Sequence, residues 1–95
     1  MTTDVPLPPP AFSTPYHGPL QVIDATLPEV EQLCRTQWGD HVRSGYQTLG
    51  CQWWKGATCL IVVPWAQGEV TPELRIRVTL HELGHCQGWP ADHPR

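Results

Sequence analysis

The apolar positions of this chain fall into short runs separated by turn-forming residues. Leu20 to Ile23 predicts a brief strand. After it, Asp24 or Thr26 can cap a helix with Pro28 in its first turn and Glu29 and Glu31 near its positive end. Val30, Leu33 and Cys34 share one face of that helix, Gly39 closes it, and positions 40 to 48 read as a polar loop. Leu49 to Trp54 and Thr58 to Val63 predict a hairpin around Lys55-Gly56, with Pro64 ending its second strand. The last element has the sharpest boundaries. Thr71-Pro72-Glu73 supplies a capping hydroxyl, a proline at the first helical position and an acid in the first turn, and Gly88 and Pro90 mark the stop. The spacing predicts a helix over 72–87. Leu74, Val78, His81 and His85 fall within about 60° of one another around its axis, opposite Ile76, Leu80, Leu83 and Gln87. The helix is therefore expected to be covered on two faces, one packed as core and the other running from apolar residues into two histidines.

Upstream of these elements the pattern is different. Residues 1–19 contain Pro6, Pro8, Pro9, Pro10, Pro15 and Pro19, which favour extended polyproline-type chain without backbone donors at those positions. This segment reads as an arm to be docked on the body or on another chain, and residues 20–95 read as the single domain. A chain of 95 residues allows no second domain. Only 16% of the residues are charged, and the net charge is -3. The cations Arg35, Arg43, Lys55, Arg75, Arg77 and Arg95 are dispersed, so no nucleic-acid partner is expected. The longest apolar run, Cys59 to Trp65, is far below the roughly 20 residues that cross a bilayer, and a soluble chain with no membrane partner is expected. MTTDVPLPPPAF has neither the positive n-region nor the apolar h-region of a secretory signal, so no export by that route is expected and the compartment stays open.

Candidate chemistry is concentrated in the last helix. His81-Glu82-Leu83-Gly84-His85 is H-E-x-x-H, whose i, i+4 spacing stacks two imidazoles on one face so that they converge on one ion. Glu82 lies about 60° around the helix from His85, placed for a water beside the metal as a general base. The cysteines carry a second signal. A three-residue loop Trp54-Lys55-Gly56 would put Cys51 opposite Cys59, within disulfide reach at a Cα separation of about 4.5 to 5.5 Å; the alternative is two buried thiols. Cys86, about 100° from His85, is not counted as a ligand. Trp38, Trp53, Trp54, Trp65 and Trp89 read as core area for a small domain, and nothing in their spacing selects among His17, His41 and Tyr46 as an oxyanion donor.

The run from His81 to Gly88 resembles the extended H-E-x-x-H-x-x-G motif of the zincin superfamily of zinc metallopeptidases. Gly88 matches the turn glycine that lets the family's chain swing a third ligand back under the metal. Ala91 stands at the metzincin ligand offset and cannot bind zinc, which leaves His93, the more usual ligand, and Asp92 as its alternative. The ending HELGHCQGWPADHPR also resembles the tail of small proteins encoded by phages and prophages, a likeness that runs from Cys51 onward. The zincin resemblance implies a small zincin-like α+β fold, a zinc cofactor on His81, His85 and His93, and a peptide or protein substrate. It also implies that the strand Thr58 to Val63 lies beside the cleft and receives an extended peptide by edge pairing. Two other classes stay open: a zinc-stapled binding module without turnover, and a virion or assembly component docked through residues 1–19.

Overall fold

A computed structural model of the chain describes residues 5–38, 48–91 and 93. The arm, expected to be extended, contains a 3₁₀ turn at Pro10–Phe12, and the elements that follow are β1 (Leu20–Ala25), α1 (Leu27–Trp38), β2 (Cys51–Lys55), β3 (Thr58–Pro64) and α2 (Pro72–Cys86). This is an α+β fold. The sheet order is β1-β3-β2, with β1 parallel and β2 antiparallel to β3. A parallel pair needs a long crossover, which α1 and the hairpin provide. Among the described residues no helix is long and apolar enough to cross a membrane.

The central strand explains the layering. Cys59 to Pro64 is buried without interruption, as expected of a strand covered on both faces. Cys59, Ile61 and Val63 join Leu74, Val78 and Cys86 of α2 in one core, while Val62 joins Val30 and Cys34 of α1 and Cys51 of β2 in the other. One helix therefore lies on each face of the sheet. The expected role for Thr58 to Val63 as a receiving edge is overturned, because β3 is hydrogen-bonded on both sides.

Local signals account for the helix ends. Thr26 and Glu29 form a capping box, with the Thr26 hydroxyl donating to the Glu29 carboxylate at 2.7 Å and the Thr26 N–H at 3.1 Å. These bonds, the hydroxyl's first, hold the Glu29 carboxyl below its ordinary range. Asp24, the other expected cap, lies in β1 instead and pairs with Arg75 of α2, whose guanidinium also donates to the Pro64 carbonyl at 2.9 Å. At the start of α2 the Thr71 hydroxyl accepts from the Leu74 N–H at 3.1 Å, as its sequence predicts. The expectation for the helix faces is partly reversed. Leu74 and Val78 are the core face, and that same face leads into the histidines; Ile76 is 58% exposed and Leu80 46%.

The cysteine pairing is also corrected. The disulfides are Cys34–Cys51, joining α1 to β2, and Cys59–Cys86, joining β3 to the end of α2. Cys51 does not bond Cys59, because the hairpin turns on two residues, Gly56 and Ala57, with Gly56 at φ 59°. Trp54 then lies opposite Cys59 and Cys51 opposite Val62. The register differs from the expected one by an odd number of residues, which sends Cys51 and Cys59 to opposite faces of the sheet. Each bridge staples one helix to the sheet. Their sequence separations of 17 and 27 residues predict a loss of about 3 to 4 kcal/mol for removing either, by the chain-entropy account. Chemical denaturation of the Cys34→Ser/Cys51→Ser and Cys59→Ser/Cys86→Ser variants measures this, and a loss below about 1 kcal/mol would show that the bridges add little to the packing.

Candidate metal centre

Three elements of local structure bring the histidines together. Helical spacing stacks His81 and His85, with ring centroids 4.9 Å apart. At the end of α2 the chain turns through Gly88, at φ 99°, and the Trp89 N–H donates to the Gly84 carbonyl at 3.0 Å. A tight turn then closes with the His93 N–H on the Pro90 carbonyl at 2.9 Å, and His93 itself adopts φ 56°. A left-handed backbone is uncommon for any residue but glycine. Here it returns the imidazole to the helix, 4.7 Å from the ring of His81 and 5.0 Å from that of His85. His81, His85 and His93 form a group able to hold a metal ion. The expected alternative Asp92, and His41 and Tyr46, lie outside the described residues; His17 is exposed in the arm.

The tautomers follow from the neighbours. Nδ1 of His81 lies 2.7 Å from the Pro6 carbonyl oxygen, and Nδ1 of His85 lies 2.8 Å from that of Trp89. A carbonyl only accepts, so both Nδ1 atoms carry the proton and, in the neutral rings, both Nε2 atoms present lone pairs. Those two Nε2 atoms are 3.3 Å apart, and Nε2 of His85 is 3.1 Å from Nε2 of His93. Ligand nitrogens at about 2.0 to 2.1 Å from a tetrahedral zinc are separated by about 3.3 Å, which these two separations match, and the three ligand atoms all lie within 4.8 Å of one another. The donor set fits as well. Burial, with the Pro6 hydrogen bond opposing and the charges of His85 and His93 assisting, lowers His81 from 6.5 to about 4, which keeps it neutral and available as a ligand.

Glu82 occupies the inner side of the same turn. It is buried, and among the described residues its Oε1 has no hydrogen-bond partner. Burial raises its carboxyl from 4.5 to about 8. Gly50 leaves room for it: a Cβ there would stand 3.2 Å from Glu82 Oε2 and only 2.8 Å from the Val62 carbonyl oxygen. Glu82 and the three histidines line one cavity of about 390 Å³, together with Gln52 and Trp54 of β2 and Trp89.

Several contributors were not visible in the sequence as such. Trp89 reads there as core, and it is indeed 3% exposed, but its ring stacks on His85 at 5.1 Å and meets His81 edge-on at 5.1 Å. Gly84 did carry a signal, since glycine inside a helix is unfavourable by about 1 kcal/mol against alanine and asks for a packing reason. A Cβ on Gly84 would come within 2.5 Å of Pro8 and 3.0 Å of Trp89. Pro6 carried none, because it acts through a backbone carbonyl. The chain matches no family model, no curated protein and no solved structure, and its likeness to the zincins rests on the motif residues alone.

Proposed function

We propose that this protein is a zinc-dependent hydrolase of peptide bonds, with His81, His85 and His93 as ligands through Nε2 and Glu82 as general base. The observation that carries the reading is the pair of imidazoles whose Nδ1 protons are committed to the Pro6 and Trp89 carbonyls, leaving Nε2 lone pairs facing each other at 3.3 Å. Lone pairs so placed call for a cation between them. Three histidines beside a cavity match catalytic zinc sites, which keep one position open, better than closed four-ligand structural sites. When bound, zinc supplies Lewis acidity and lowers the pKa of an adjacent water toward about 7. A nearby divalent charge favours the Glu82 carboxylate over the protonated form that burial alone imposes. As a carboxylate, Glu82 takes the proton of the attacking water and delivers it to the leaving amine. The edge strand β2 presents Gln52 and Trp54 to the cavity, and an extended substrate would lie along it.

Two observations weigh against the other readings. Two disulfides already join both helices to the sheet, so the fold has less need of a metal staple. The described part of the arm lies on its own helix α2, which removes the reason for docking it on another chain. Protein purified without chelators is expected to hold about one zinc per chain by elemental analysis. It is also expected to cleave members of a peptide library in a reaction that a chelator abolishes and added zinc restores. No stoichiometric metal and no thermal shift with zinc would overturn the site. A full zinc load without any turnover would overturn the hydrolase and leave the staple.

A further inference from the structure

The N-terminal arm follows one stripe of α2 that has His81 in it. The Val5 carbonyl accepts from Arg77 Nε, the Pro6 carbonyl from His81 Nδ1 at 2.7 Å, and the Thr14 carbonyl from Gln87 Nε2 at 2.7 Å. Between the last two, Pro8 sits over Gly84, where a Cβ would come within 2.5 Å of its ring. Positions 77, 81, 84 and 87 share one helix face. Prolines at 6, 8, 9 and 10 leave this stretch few backbone donors, so the Val5 and Pro6 carbonyls accept from α2, while those of Pro8, Pro9 and Pro10 accept within the arm, where Pro10–Phe12 forms a 3₁₀ turn. None of residues 5–19 lines the metal-side cavity, so the arm supports His81 from its Nδ1 side and does not obstruct Nε2.

We propose that the arm and the metal centre form one binding unit, in which the Pro6 carbonyl positions His81 and fixes its tautomer, so that arm docking strengthens zinc binding and zinc strengthens arm docking. This rests on the reading of His81, His85 and His93 as the metal ligands. Pro6 is a positioning residue. An acceptor on the far nitrogen of a ligating histidine sets ring orientation and ligand basicity, and losing one typically weakens metal binding about 10- to 100-fold. Coupling of this kind is reciprocal: the factor by which the docked arm raises zinc affinity equals the factor by which zinc favours the docked arm.

Two measurements test it. Chelator competition compares the zinc affinity of the full chain with that of a chain beginning at Ala11, for which a 10- to 100-fold weakening is expected. On the full chain alone, the rate of chymotryptic cleavage after Phe12, resolved by mass spectrometry, is expected to fall by a similar factor when zinc replaces chelator. The second needs no truncation and decides the matter if the shortened chain does not fold. Equal zinc affinities of the two folded chains, or cleavage after Phe12 indifferent to zinc, would overturn the coupling while leaving the metal site intact. A full chain that binds no zinc would overturn both.

Discussion

Glu82→Gln is expected to keep the zinc and to lower peptide hydrolysis by on the order of 10² to 10⁴-fold, the usual contribution of a positioned acid–base group. The substitution separates chemistry from folding unusually well at this position. Glu82 is buried against Gly50, and its carboxyl is held up to about 8 by burial, so without a cation the fold carries it neutral near pH 7. Glutamine replaces one neutral group by another of the same shape, and no charge that folding relied on is lost. The melting temperature of the chelator-treated variant should accordingly stay within a few degrees of the parent. Turnover, zinc content and calorimetry on the same preparation read the three quantities apart. Loss of zinc from the variant would make Glu82 part of the metal site's framework. Undiminished turnover would remove it from the reaction.

What the sequence revealed and what it concealed divide along a physical line. Features encoded by one residue's own backbone preference were legible: Thr71 and Pro72 mark the start of α2, and Gly88 the turn beyond its end. The i, i+4 histidines needed only helical geometry. Features that depend on pairing between distant segments were not legible. Turning on Gly56-Ala57 instead of Trp54-Lys55-Gly56 changes the register by an odd number, and that alone takes the two hairpin cysteines from one face of the sheet to opposite faces, each toward a different helix. Four cysteines allow three pairings, and sequence does not choose among them. Ile76 and Leu80 have core-type side chains at a core-type period, yet the face that meets β3 is the one bearing Leu74 and Val78. The Pro6 carbonyl could not be found at all, since any residue presents the same group.

His93 is where the fold gives up backbone comfort for the site, and its replacement should move stability and metal binding in opposite directions. At φ 56° it sits in a region that costs a non-glycine residue about 1 to 2 kcal/mol. Glycine adopts that conformation freely. His93→Gly is therefore expected to leave the chelator-treated protein at least as stable as the parent, while zinc affinity falls by more than the roughly 100-fold that separates an outer partner from a ligand. His93→Ala should lose affinity to the same extent without the backbone relief. Asp92→Ala, at the alternative ligand that the sequence offers, is expected to lose less than either His93 variant, no more than about 100-fold. Competition with a chelator of known affinity ranks the three variants, and calorimetry in excess chelator supplies the stability arm. A smaller loss for both His93 variants than for Asp92→Ala would hand the third ligand position to the aspartate. A fall in the stability of the metal-free His93→Gly chain would mean that the imidazole's packing against Trp89, at a centroid distance of 4.9 Å, outweighs the strain its backbone carries.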